Sequence, residues 1–266
     1  MRKTIVGILL AGVLALNFVQ TATAGQVMDR ILKKGELVVG TTGEQPPLNA
    51  TNKKGDIIGL DADIARIIAD ALEVRLVFKT MPFNDLLPAV SAGKVDMVIS
   101  SMTITPKRNR TLAFVGPYYM SGKGLLTKSK NLSKLQNPEA INDSQLSVAV
   151  LKDSTSQAYA EKAASKSKIV KTKSYDAAIG MLLVDKVDAI IADFPFCAFS
   201  AYRYKDKGLV AGESPISYEP LGIVVTEDTL MINWLENFIE TLKGTGLLRQ
   251  LHARWFKDGS WIKTLR

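Results

Sequence analysis

Two successive stretches of this chain alternate short apolar runs with helix-patterned segments, and that alternation restricts the fold more than any other feature. In the first stretch, Glu36-Leu37-Val38-Val39-Gly40-Thr41 reads as a buried strand running into a loop that Pro46-Pro47 keeps irregular. Asn52-Lys53-Lys54-Gly55-Asp56 reads as a hairpin turn. Gly59-Leu60-Asp61 opens a helix whose Ile64, Ile67, Ile68, Ala71 and Leu72 share one face. Asp61 and Asp63 fall in its first turn, where carboxylates favour the helix dipole. Strands at Arg75 to Phe78 and Val95 to Ile99 bracket a helix from about Asn84 to Ser91. The second stretch repeats the order. Leu146 to Val150, Lys168 to Lys171 and Val187 to Ala192 read as strands, with helices at Ser156 to Ala164 and after the cap Ser174. Strand, helix, strand, helix, strand favours a parallel sheet with helices on its faces. Leu221 to Val225 reads as a strand returning to the first unit, and helices near Thr229 to Leu242 and Leu247 to Trp255 form the tail. A chain that leaves one lobe and comes back crosses twice, and two crossing strands make a natural hinge.

The first residues set the expected compartment. Arg2 and Lys3 precede an apolar run from Ile5 to Leu16, and Ala22-Thr23-Ala24 follows with small residues at signal-peptidase spacing. An export signal over residues 1–24, cleaved after Ala24, is expected, and a periplasmic location with it. The run is short for a membrane span, which disfavours a retained anchor. Removal of 24 of 266 residues leaves 242, enough for two lobes of ordinary size. The net charge of +8 falls to +6 without Arg2 and Lys3. Lys123, Lys128, Lys130 and Lys134 are scattered among acids, so a solvated face is expected rather than a nucleic-acid surface. Cys197 is the only cysteine and His252 the only histidine, so no disulfide and no metal site are expected.

Several segments carry a family likeness together. Gly40-Thr41 with Pro46-Pro47, Gly59-Leu60-Asp61-Ala62-Asp63-Ile64, Ser100 to Arg108, Gly116-Pro117-Tyr118-Tyr119, Val187-Asp188-Ala189 with Asp193, and Trp255-Phe256 stand in one order. In that order and spacing the chain resembles the family 3 extracellular solute-binding proteins, the amino-acid receptors of ABC importers. The resemblance spans nearly all residues after the export signal. It implies an α/β, two-lobed periplasmic-binding-protein fold of type II-like form. Each lobe is a mostly parallel sheet flanked by helices, and two strands join the lobes. Lobe 1 is expected over residues 25–118 and 218–266, and lobe 2 over residues 119–217. The implied partners are an amino-acid-like solute and a membrane permease. A monomer without cofactor is expected.

An amino acid presents a carboxylate and an ammonium on one carbon. Burying both requires a fixed cation or several donors for the first, and an acid or acceptors for the second. By the resemblance, Arg108 clamps the carboxylate with its planar fork, and Ser101 and Thr103 add backbone and hydroxyl contacts. Asp193 ends a buried strand at the carboxyl edge of the second sheet, where α/β folds place ligands. The resemblance assigns it the ammonium, and a helix-capping role is compatible. Ser154-Thr155-Ser156 opens a helix whose free N–H groups suit an anion, with Thr155 closing on the carboxylate. The family usually has glycine where Asp153 stands. It commonly has an acid at Thr42 and an aromatic at Gln45. Thr42, Gln45, Phe83 and Leu151, with Met102, would then line a side-chain pocket for a neutral polar or modestly apolar group, which Glu44 could alter. Phe83 is equally readable as core.

The expected mechanism is hinge closure over the solute, followed by docking on the permease. Two other readings stay open. Gly40-Thr41-Thr42-Gly43 is similar to the first loop of cyclohexadienyl dehydratases, enzymes that look like this family. Their elimination needs a general acid, and the matching place, three residues after Asp193, holds Phe196. No enzymatic activity is therefore expected, and none from His252, expected on the surface. The same module could also report solute to a membrane receptor.

Overall fold

The computed structural model describes residues 25–128, 132 and 141–265. The expected export signal, Lys130 and Lys134 lie outside the described residues. Two five-stranded sheets carry the architecture. The first contains β1 (Glu36–Thr41), β5 (Arg75–Thr80), β6 (Met97–Val98), β7 (Ala113–Ser121) and β13 (Glu219–Val225), in the order β5-β1-β6-β13-β7. β1 runs parallel to β5 and β6, whereas β13 runs antiparallel to β6 and β7. The second contains β8 (Lys123–Thr127), β9 (Ser147–Leu151), β10 (Lys168–Thr172), β11 (Ala189–Asp193) and β12 (Val210–Ala211), in the order β10-β9-β11-β8-β12. Here β9 is parallel to β10 and β11, and β8 is antiparallel to β11. The core of each sheet is parallel, as the alternation predicts, and the antiparallel members are those that enter or leave a lobe. A small hairpin sheet of β2 (Glu44–Gln45), β3 (Asn49–Thr51) and β4 (Ile57–Ile58) decorates the first lobe.

Helices α1 (Gln26–Lys34), α2 (Leu60–Ala71) and α3 (Phe83–Ser91) belong to the first lobe. Helices α4 (Thr155–Ala163), α5 (Tyr175–Leu183) and α6 (Phe194–Arg203) belong to the second, and α7 (Thr229–Gly244) and α8 (Leu247–Phe256) return to the first. Ile64 and Ile68 of α2 and its C-cap Leu72 are buried, while Ala71 at its end is exposed. Asp228 caps α7 through the Met231 N–H at 2.8 Å and ties down α1 through the Val27 N–H at 2.6 Å. Among the described residues no helix is long and apolar enough to cross a membrane.

Asp61 and Asp63 stand in the first turn of α2, as expected, and both take further roles. Asp63 is buried, accepts the Trp255 indole N–H at 2.7 Å and pairs with Arg66, so it fastens α8 to α2. Asp61 is buried too and is absorbed in the site described below.

The chain passes between lobes twice, from β7 into β8 and from β12 into β13. β7 and β13 are paired from Glu219↔Ser121 to Val225↔Ala113, with a register shift between Leu221 and Ile223. Glycine is required beside the crossing. A Cβ on Gly222 would lie 2.8 Å from the Ile104 side chain and 3.0 Å from the Val115 carbonyl oxygen.

Candidate functional site

The carboxyl ends of both sheets face one another, and their charged side chains meet there. β8 and β11 are antiparallel with Lys123 directly opposite Asp193. That register places the Lys123 ammonium 2.7 Å from Asp193 Oδ1. Lys123 Nζ also donates to Thr155 Oγ1 at 2.7 Å, at the start of α4. Glu219, delivered by the returning strand, brings Oε2 to 3.5 Å from the same ammonium, and this oxygen takes no hydrogen bond among the described residues. The Lys123 side chain is only 1% exposed. It is therefore no part of a solvated lysine face, which corrects the reading from charge scatter. A buried ammonium is tolerated because two acids and a hydroxyl replace its water shell.

Lys123 was hidden from sequence reasoning, although its neighbours held a signal. It stands between Gly122 and Gly124, ahead of the apolar Leu125-Leu126. A Cβ on Gly122 would collide with the Ser217 carbonyl oxygen, and one on Gly124 would lie 2.9 Å from Phe194 Cα. Both glycines mark backbone pressed closely on its surroundings, so a residue between them is held in a fixed place.

Asp193 occupies the N-cap position of α6 but makes no capping hydrogen bond. Its second oxygen, Oδ2, instead accepts the Gln45 amide at 2.5 Å, from the first lobe. A second bridge between lobes joins Thr103 Oγ1 and Thr155 Oγ1, 3.2 Å apart. Arg108 opens a 3-10 turn after this loop and donates from Nη1 to the Thr103 carbonyl at 3.0 Å. Its guanidinium carbon lies 5.7 Å from the centre of the Phe83 ring, within cation–π range. Burial pushes the Arg108 pKa down, and the charges of Glu219 and Asp193 oppose that shift. The half-buried Arg108 thus joins the buried Lys123, Asp193 and Glu219 in one set of two cations and two anions.

Ser101 serves differently from the expectation. Its N–H and hydroxyl both reach Asp61 Oδ2, at 2.9 and 3.3 Å. Ser101 has φ +52°, a left-handed value that a non-glycine residue holds only when its surroundings enforce it. Asp61 does the enforcing, and also accepts from Asn49 Nδ2 at 2.8 Å and from the Tyr118 hydroxyl at 2.9 Å. It shapes the loop that carries Thr103 and Arg108. Thr42 is likewise engaged, donating to Asn49 Oδ1 at 2.8 Å. Met102 packs in the core, not in the pocket wall. Asp153 has φ +60°, the conformation in which glycine is at ease, which explains the family's usual glycine there.

Desolvation outweighs these hydrogen bonds and raises the Asp61 pKa to about 6. A carboxyl whose pKa is raised on folding takes up a proton as the chain folds. Stability therefore falls as pH rises from about 4 to about 6 and levels off above. The size is about 3 kcal/mol, from about two pK units at 1.36 kcal/mol each. Urea unfolding of Asp61→Asn at pH 4, 5, 6 and 7 should show that part of the slope removed. An unchanged slope would show that Asp61 does not titrate in this range.

Phe83, Leu151, Thr42 and Gln45 line a cavity of about 10 Å3 together with Tyr175 and Lys173. Phe83 is both pocket wall and core, being 9% exposed within the cluster that spans the two lobes. Glu44 stands at the edge, its pKa raised by burial and then by Asp176. Beyond Glu44 lies a pocket of about 480 Å3 between the β2–β3 hairpin and helices α5 and α6, with Asp176 and Arg203 in its wall. His252 is half-buried rather than on the surface. Its Nε2 lies 3.1 Å from the Tyr118 carbonyl oxygen, and its ring meets Tyr119 edge-on. Burial lowers its pKa. Among the described residues no three His, Cys, Asp or Glu side chains gather as metal ligands.

Comparison with known proteins agrees with this architecture. The cyclohexadienyl dehydratase of Pseudomonas aeruginosa is 23% identical over 230 residues, 86% of each chain. The crystal structure of an ancestral amino-acid-binding protein, described as a precursor of cyclohexadienyl dehydratase, superposes with a TM-score of 0.79 at 31% identity, over 86% of this chain and 99% of that one. An ancestral arginine-binding protein bound to arginine superposes with a TM-score of 0.78 at 29% identity, over 84% and 98%. The family model for bacterial extracellular solute-binding proteins, family 3, matches residues 37–258, and with that span of match the chain belongs to this family.

Proposed function

We propose that this protein captures a small solute of amino-acid type between its lobes, in the periplasm, and presents it to the permease of an ABC importer. One observation carries the proposal: the charged set of half-buried Arg108 with buried Lys123, Asp193 and Glu219, assembled where Thr103 and Thr155 bridge the lobes. Such a set supplies groups for both ends of a zwitterion. Arg108 commits one nitrogen to Thr103 and retains donors for a carboxylate. At Asp193 Oδ2 the present partner is the neutral Gln45 amide. An ammonium adds to its hydrogen bond a full Coulombic attraction for the carboxylate that the neutral amide lacks, so a solute ammonium would displace Gln45. The main-chain ends of the solute are thus held by charge, and its side chain is directed toward Phe83, Leu151 and the wider pocket past Glu44.

A cavity of about 10 Å3 holds about one water. Entry of a solute therefore requires the lobes to separate, with β7 and β13 as the hinge. Closure is then favoured by the contacts that the solute makes with both lobes at once. A thermal-shift screen against the common amino acids, followed by titration calorimetry, tests this. At least one amino acid should raise the melting temperature and bind with 1:1 stoichiometry. No shift from any amino acid or related zwitterion would overturn the proposal.

The likeness to a dehydratase calls for a separate assay. Phe196, at the place where those enzymes carry their acid, is 3% exposed and stacks on Tyr175 with ring centres 4.4 Å apart. A phenyl ring cannot protonate a leaving hydroxyl. Incubation with prephenate or arogenate should leave both unchanged. Turnover of either would replace the capture function with catalysis.

A further inference from the structure

The protein's own side chains join the lobes at the very groups a solute would use. The Gln45 amide reaches from the first lobe to Asp193 Oδ2 at 2.5 Å, and both residues are buried. Asp193 Oδ1 accepts from Lys123, so each oxygen of this acid already has a donor. The contact has a fixed sense, because a carboxylate oxygen only accepts and the amide must donate. Thr103 and Thr155 form the second polar bridge. Lys123 donates to Thr155 Oγ1, which leaves the Thr155 hydroxyl hydrogen for Thr103. Phe199 on Trp261, with ring centres 5.4 Å apart, adds an apolar contact across the lobes.

Gln45 is braced for this contact. It ends β2, pairs with Asn49 across the hairpin, and its carbonyl accepts the Leu48 N–H at 3.0 Å. Asn49 in turn accepts from the Thr42 hydroxyl and the Gly43 N–H at 2.8 and 2.9 Å, and donates to Asp61. Asp61 also fixes Ser101, two residues before Thr103. Both polar bridges therefore rise from one tied surface of the first lobe. Only the bridge from Gln45 ends on a charged group, and hydrogen bonds to charged groups are the stronger kind. The cavity left beside Gln45, about 10 Å3, is too small for any amino acid, so this contact and a bound solute exclude one another.

We propose that Gln45 is an internal latch: its amide holds the lobes shut on Asp193, and solute binds only by displacing it. The competition rests on the capture function proposed above, whereas the shut state does not. A latch of this kind divides the affinity by the fraction of molecules able to accept solute. The test is small-angle X-ray scattering of the full chain, dialysed free of solute under denaturant and refolded, followed by calorimetry with the amino acid that the screen identifies. Wild type should scatter as the closed form. Gln45→Met keeps the length and loses the donor, and Gln45→Glu sets a carboxylate against Asp193. Each should enlarge the radius of gyration. Gln45 lies on a hairpin outside both five-stranded sheets, so circular dichroism should show both variants folded. Gln45→Met should bind solute about tenfold more tightly, the value of one hydrogen bond to a charged group. Wild-type scattering that fits separated lobes overturns the latch, as does scattering that neither variant changes. Unchanged or weaker solute binding by Gln45→Met overturns the competition. If no solute binds to wild type or variant, the capture function and the competition both fall, and the scattering still decides the latch.

Discussion

Arg108→Ala is expected to reduce the affinity for the captured solute by at least about 100-fold, enough to erase its thermal shift. The guanidinium is half-buried and donates to the Thr103 carbonyl at 3.0 Å. A hydrogen bond to a charged group contributes about 1.5–3 kcal/mol. Loss of a two-pronged clamp therefore costs about 3–6 kcal/mol, and each 1.4 kcal/mol is tenfold in affinity. Arg108→Lys separates charge from shape. It keeps the cation but loses the planar fork, so it should recover only part of the binding. Calorimetry on the wild type and both variants, with whichever amino acid the screen identifies, measures the three constants. Binding by Arg108→Ala within threefold of wild type would remove the carboxylate role from this residue.

The fold was readable because its signals are local. Strands β1, β9 and β11 are short apolar runs ended by turn residues, and α2 repeats its apolar residues at helical spacing. Such periodicity survives in a single sequence because each element buries one face or both. The parallel order followed from the alternation, and the return of β13 from where the second unit stops. The antiparallel interior strands, β13 and β8, were not foreseen, since nothing local distinguishes a strand that stays in its lobe from one that crosses.

The site was readable only in part, for a related reason. Arg108, Thr103, Thr155 and Asp193 do converge, and each stands in a segment whose order along the chain carries the family likeness. Lys123 and Glu219 join them through pairings that span 70 and about 100 residues of chain, and a lysine or glutamate looks the same in sequence whether solvated or buried. The family resemblance points Ser101 at the solute. Its hydroxyl and N–H turned out to be held by Asp61, because a left-handed serine needs a partner to stay in place. Asp61 itself looked like a helix-dipole residue. Its true partners, Asn49, Ser101 and Tyr118, come from three separate segments.

The interior ion set leads to the second large effect, on stability rather than binding. Lys123→Met keeps the length of the side chain and removes its charge. Asp193 then loses its nearest cation, Thr155 loses a donor, and Glu219 loses the only ion pair found for it among the described residues. Removing one partner from a buried ion pair costs about 3–5 kcal/mol, because the remaining charge stays desolvated. For a chain of this size, that lowers the melting temperature by about 6–20 °C. Adding Asp193→Asn to Lys123→Met removes one stranded charge and should recover part of the loss. Thermal unfolding of wild type, single and double variants at pH 7.5 measures both effects. A single variant that melts within about 1 °C of wild type at neutral pH would show that the ammonium is not bearing the charge of Asp193 and Glu219. In that event the two acids would have to be carried by Arg108 alone, and the clamp would have no fixed counter-charge to spare for a solute.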